Sequence, residues 1–126
     1  MPSGPSTIPH VAYAAKRGKH WVLVDRGLPS TNWDGIGEIV VRGSRTGYAA
    51  ERASRWHVVV DGIASRAWSA VLADTLRFSR DGKRVVYAAA NGGDVHVVID
   101  GAVGPAWSGV GQLTFSQDGA HVGFAA

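Results

Sequence analysis

The chain has 126 residues, 45% of them hydrophobic and 18% charged, which places it among chains that fold around a core. It contains no cysteine, so a disulfide framework and a thiolate metal site are excluded. The net charge of +3 is small, the arginines are scattered, and no apolar run approaches the ~20 residues of a membrane-spanning helix, so neither a nucleic-acid binder nor a membrane protein is marked out by composition.

Residues 1–9 are rich in Pro and Ser and predict a disordered lead-in. They have neither the basic start nor the apolar core of a signal peptide, so a cytoplasmic product without a membrane partner is expected. From residue 10 onward the chain repeats itself. An aromatic-Ala-Ala strand recurs at Tyr13, Tyr48, Tyr87 and Phe124, with separations of 35, 39 and 37 positions. A Val/Ile-Asp turn follows at Asp25, Asp61 and Asp100, a tryptophan at Trp33, Trp68 and Trp107, and an apolar strand position at Val41, Phe78 and Phe115. The offset from Tyr to Asp is 12, 13 and 13, so loops absorb one-residue slips between otherwise constant strands. The units run over about 10–45, 46–83 and 84–120, with a terminal strand at 121–126. Each unit of roughly 37 residues predicts four strands: a (112–116), b (84–89), c (95–100) and a weaker d (105–110). No stretch carries a helical apolar period, so the class is all-β.

The most regular copies of the unit are Phe78-Ser79-Arg80-Asp81-Gly82-Lys83-Arg84-Val85-Val86-Tyr87 and Phe115-Ser116-Gln117-Asp118-Gly119. Both read as hairpins, because Gly tolerates positive φ and the Asp side chain bonds the amides that follow it. They resemble the WD40-like repeats of TolB-type β-propellers, whose signature is F-S-P-D-G followed by β-formers. Arg80 and Gln117 stand where that family has Pro. A shorter third copy, Val41-Arg42-Gly43-Ser44-Arg45, lacks the Asp-Gly. The resemblance implies four-stranded antiparallel blades and is silent on activity, since fold does not fix function.

Read in order, the strands run b-c-d, a-b-c-d twice, then a-b, which is about three blades, whereas a ring typically needs at least four. Ring closure by oligomerisation is therefore expected, with a homodimer of about six blades favoured and a fragment of a longer repeat protein as the competing account. In the dimer, the b strands at 11–15 and 122–126 compete for one place.

Three sets of residues invite a chemical reading. Trp33, Trp68 and Trp107 would form aromatic platforms of a carbohydrate-binding, lectin-like module, or would pack between blades. His57 and His96 occupy matching places, held by Trp21 in the first unit, but two histidines fall short of the three or four ligands of a zinc site, so no metal is expected. Asp25, Asp61 and Asp100 precede glycines or Arg26-Gly27 and read as turn residues instead of paired acids. No nucleophile elbow, phosphate loop or zinc-protease motif is present. The turns between b and c are different: Lys16, Arg17, Lys19, Arg52 and Arg55 make a cationic patch on one rim suited to an acidic protein or another anionic ligand. The sequence thus predicts a non-enzymatic binding or scaffolding module that assembles with itself and needs no cofactor, with a lectin-like module and a ligand-free structural or engineered fragment as alternatives.

Overall fold

The computed structural model describes residues 10–126, and the lead-in expected at 1–9 lies outside the described residues. The described chain is all-β, without a helix, and folds into antiparallel sheets of two to five strands. Sheet one is the meander β1 (Ala12–Arg17), β2 (His20–Asp25) and β3 (Leu28–Pro29). Sheet two follows in the same manner with β4 (Gly35–Arg42), β5 (Arg45–Arg52), β6 (Arg55–Val60) and β7 (Ile63–Ala64). Sheet three comprises β8 (Ala70–Val71), β9 (Arg77–Phe78), β10 (Val85–Asn91), β11 (Asp94–Ile99) and β12 (Ala102–Val103), and sheet four is the pair β13 (Thr114–Phe115) and β14 (Val122–Gly123).

Turn chemistry explains why these meanders form. Asp61-Gly62 and Asp100-Gly101 both have central φ values of 50° and 84°, and Arg26-Gly27 has 51° and 79°. Two successive positive φ values make the tight turn whose twist matches the flanking strands. The turn at Ala53-Ser54 does the same without glycine, at φ 55° and 64°, so two Cβ-bearing residues are held in a region that disfavours them.

The structure shortens two of the expected strands. The strand read at 105–110 begins earlier, as the two-residue β12, and Trp107 then makes only a single bridge to Val95. The strand read at 112–116 is reduced to Thr114–Phe115. In sheet three the first strand is split: β8 and β9 both pair with β10, and the chain between them bulges away at Asp74, whose φ is 61°. Thr75 fills the gap, its hydroxyl donating to Leu72 O at 2.8 Å and accepting from Ala88 N at 3.1 Å. Glu38, in an irregularity of β4, accepts from Leu76 N at 3.2 Å and ties this bulge to sheet two.

Consecutive sheets pack face to face. Side chains alternate between faces along a strand, so β5 sends Tyr48 and Ala50 toward Leu23 and Trp33 of the sheet one side, while Val58 of β6 points toward Trp68, Leu76 and Tyr87. Sheet three likewise puts Tyr87 and Ala89 on one face and Val86 and Ala88 on the other, where Leu113 of the fourth sheet's side meets them. The small Ala residues let neighbouring backbones approach while the aromatic rings fill the remaining space. Phe78 is 7% exposed in this packing, whereas Phe115 is only half-buried. Phe78→Ala should therefore cost about 3–5 kcal/mol and Phe115→Ala about 1–2 kcal/mol in denaturant unfolding. Equal losses would mean that the two sheets bury these rings alike.

Candidate functional site

The turn carboxylates Asp61 and Asp100 are committed to holding their own hairpins. Asp61 Oδ1 accepts from Thr46 N at 3.0 Å and Oδ2 from Arg45 Nε at 2.9 Å, while Arg45 Nη1 continues to Gly82 O of the next sheet at 2.8 Å. Arg84 repeats this with Asp100 Oδ2 at 3.0 Å and Ala120 O at 2.7 Å. An arginine thus latches a hairpin and the following sheet at once, with charge-assisted donors in both bonds.

The first sheet does this differently, and Asp25 is not the counterpart of Asp61. Asp25 pairs with Leu28, as Val60 pairs with Ile63 and Ile99 with Ala102, so Arg26 takes the turn place and Asp25 lies one residue earlier. Its partner is His10, whose Nε2 lies 2.7 Å from Asp25 Oδ1 and whose Nδ1 lies 2.8 Å from Gly43 O. Thr46 Oγ1 donates to Asp25 Oδ2 at 2.7 Å, and Arg26 Nη2 donates to Ser44 O at 3.0 Å.

The two F-S-x-D-G hairpins close on their aspartates. Asp81 Oδ1 accepts from Ser79 Oγ at 2.6 Å and Lys83 N at 3.0 Å, and Asp118 does the same with Ser116 Oγ and Ala120 N at 2.6 and 3.0 Å. These bonds, the serine hydroxyl first, hold both carboxyls below their usual value of 3.8. At Asp25, burial opposes ionisation, but the Thr46 hydroxyl and His10 outweigh it, and its carboxyl is also held low. A depressed carboxylate contributes stability above its unfolded pKa and loses it as pH falls through the folded one. The thermal stability lost in Asp81→Asn should accordingly be largest near neutrality and shrink as pH drops below about 4. A difference that persists unchanged in acid would show that the carboxylate's charge is not what matters.

The cationic rim is assembled in part. The turns at the ends of β1–β2 and β5–β6 lie at the same end of stacked sheets, because Trp21 bridges Trp33 there and Asp34 N donates to Glu51 O. Lys16, Arg17, Lys19 and Arg55 are exposed at these turns. Arg52 is engaged within the protein: its guanidinium lies 3.9 Å over the Trp33 ring and donates to Asn32 O at 2.7 Å. Four of the five residues are thus open to an anionic partner.

The tryptophans separate into two kinds. Trp33 and Trp68 are 4% and 0% exposed, packed at 5.7 Å and 5.8 Å against His57 and His96 of the following sheets, so neither offers a ring face to a sugar. Trp107, at 38% exposed, stacks edge-on against Phe124. His57 and His96 place Nδ1 at 2.8 Å from Ser65 O and Gly104 O, bonds that fix their rings within their own sheets. The matching place in sheet one is Val22 and not Trp21, since Ala15 pairs with Val22 as Ala50 pairs with His57; Trp21 corresponds to Trp56. Among the described residues no group of three or more His, Cys, Asp and Glu side chains is placed to share a metal ion.

Between sheets two and three lies a feature that no motif announced. Because β7 and β12 are only two residues long, they leave the adjoining faces partly uncovered, and an open cleft of about 650 Å³ remains. Val58, Val60, Val85 and Val103 form apolar walls, Tyr87 and Trp68 the floor, and Arg66 and Lys83 stand at the margin. Burial pushes the Tyr87 phenol up, against the pull of the nearby Ser65, Trp68 and Arg66 side chains. A smaller cleft of about 320 Å³ occupies the matching place between sheets one and two, around Tyr48, Leu28 and Ser30. The signal in the sequence was a departure from recurrence: Arg66 and Lys83 stand where the preceding unit has Thr31 and Ser44. Comparison of the chain with protein-family models, characterised proteins and solved structures returned no match.

Proposed function

We propose that this chain is a set of β-propeller blades that completes a ring with a second copy of itself and acts as a non-enzymatic binding scaffold. The observation that carries this reading is the contrast between inner and outer members of one set of positions. Tyr48 and Tyr87 are each 4% exposed, whereas Tyr13, which has the same strand-pairing place, is 50% exposed, and Val11 beside it 53%. Trp107 is 38% exposed where Trp33 and Trp68 are covered. The outer faces at the two ends of the stack are therefore the two halves of a contact already made twice inside the chain. Among the described residues, sheet one also has no strand in the place that β4 takes in sheet two, and β13 of a second copy would fill that edge, its own β14 giving way to the partner's β1. Two chains joined at both ends amount to about six blades. The F-S-x-D-G hairpins, which resemble those of TolB-type propellers, support the same architecture.

In that ring the exposed Lys16, Arg17, Lys19 and Arg55 mark the rim suited to an acidic protein face, since exposed loops on a rigid frame carry recognition. A lectin-like role loses two of its three platforms to burial. An enzymatic role has little to build on, because the turn carboxylates and both strand histidines are bonded within their own sheets.

Light scattering behind a sizing column, over a dilution series, should give twice the 13.2 kDa chain mass at every concentration. Tyr13→Glu should convert that species to a folded monomer. A wild-type monomer, or polydisperse association through open edges, would overturn ring closure by two chains.

A further inference from the structure

We infer that the cleft between sheets two and three binds a small organic carboxylate with an apolar body. Its floor contains an unsatisfied donor: Trp68 is 0% exposed and its Nε1, although near the Tyr87 phenol, makes no well-formed hydrogen bond. An unmade bond of this kind is costly in a buried setting, and because the Trp68 ring lines the cleft a small adjustment of the ring would bring its N–H to an acceptor there. Tyr87, 4% exposed, contributes a second polar group to the lining. The walls of Val58, Val60, Val85 and Val103, with Ile63 at 76% exposure on the lip, suit an apolar body, and about 650 Å³ is within the range of small-molecule sites.

The charge of the ligand follows from which cations are already paired. Asp61 and Asp100, both on the cleft wall, are bound to Arg45 and Arg84. Arg66 and Lys83 have no carboxylate within ion-pair distance among the described residues. Arg66 is held 4.8 Å over the Trp68 ring. The cleft therefore carries two cations at its margin, Arg66 over the Trp68 ring and Lys83, which also acts on the exposed Asp81, an arrangement suited to an anion with two acceptor oxygens.

The chain contains its own control. Trp33 Nε1 is also without a partner, but the smaller cleft beside it is not lined by that ring, and Thr31 and Ser44 stand where Arg66 and Lys83 do. Those matches rest on the same bonds: Ser30 Oγ accepts from Leu23 N and donates to Thr31 O as Ser65 Oγ accepts from Val58 N and donates to Arg66 O. The smaller cleft has Arg26, which is bonded to Ser44 O, but no counterpart of Arg66 or Lys83, so the recurring framework by itself does not account for that pair.

The site lies within one chain and does not depend on two chains joining. The test is titration of the full chain with naphthylacetate, following the indole N–H resonances by heteronuclear NMR, with neutral naphthylacetamide as the comparison. The Trp68 indole proton should move downfield and saturate with the carboxylate, and Trp33 should stay in place. The amide should bind at least about tenfold more weakly, and so should the carboxylate to the double variant Arg66→Thr, Lys83→Ser, both exposed positions given the residues of the smaller cleft. No saturable shift, equal binding of the amide, unchanged binding by the double variant or an equal shift of Trp33 would each overturn the assignment.

Discussion

Sheets two and three are apolar on both faces, and that constraint governs the rest of the structure. A sheet with one wet face can end a stack, but a sheet with Tyr48 and Ala50 on one side and Ala49 and Val58 on the other has to be covered twice. The aromatic residue and the alanines of the central strand divide this work. Alanine keeps adjacent backbones close, and Tyr and Trp from successive sheets fill the volume that alanine leaves. The price is paid at the two ends, where Val11 and Tyr13 have no sheet packed over them among the described residues and Trp107 has only the short fourth sheet beyond it, so all three remain accessible.

Hydrogen bonding orders the sheets along the stack, which apolar packing cannot do by itself. Packing is tolerant of small slides, whereas the arginine latches are directional. Arg45 and Arg84 each bond a turn carboxylate in their own sheet and a backbone carbonyl in the next. At the first sheet the same junction is built from a different pair, with His10 facing Asp25 and Arg26 reaching Ser44. The carboxylate has moved one residue and the cation has moved into the turn, yet a bond still crosses to the next sheet. The junction is thus a requirement of the architecture, and its residues are interchangeable within it.

The clefts are the counterpart of that economy. Strands β3, β7 and β12 stop after two residues, so the outermost part of each sheet does not cover its neighbour. Between sheets one and two the opening is small and carries no lysine; between sheets two and three it is larger and carries Arg66 and Lys83. Residues 17 positions apart in the chain become the two sides of one opening only after two sheets have stacked. The exposed lysines and arginines of the b-to-c turns were legible beforehand because charged residues at a tight turn have nowhere to go but solvent. Arg52 was not, since its engagement with Trp33 is a contact between sheets.

Local chemistry was enough to determine that the chain is all-β, where its central hairpins turn and which aspartates belong to those turns, because Asp-Gly geometry and alternation act over a few residues. It also showed that Tyr13, Tyr48 and Tyr87 and Trp33, Trp68 and Trp107 recur at matching places, but whether those rings pack between sheets or face a ligand was decided only by burial, which covers Trp33 and Trp68 and leaves Trp107 open. Residue identity was a poorer guide to alignment: matching Asp25 to Asp61, and Trp21 to His57, placed each one position off, and only backbone pairing showed Arg26 and Val22 in those places. The lengths of the outer strands, the splitting of β8 from β9 and the meeting of Arg66, Lys83, Trp68 and Tyr87 were decided by tertiary structure, because each depends on which face of one sheet rests on the next. Spacing along a chain records periodicity within a sheet; it does not record the distance between two sheets, and the cleft exists in that distance.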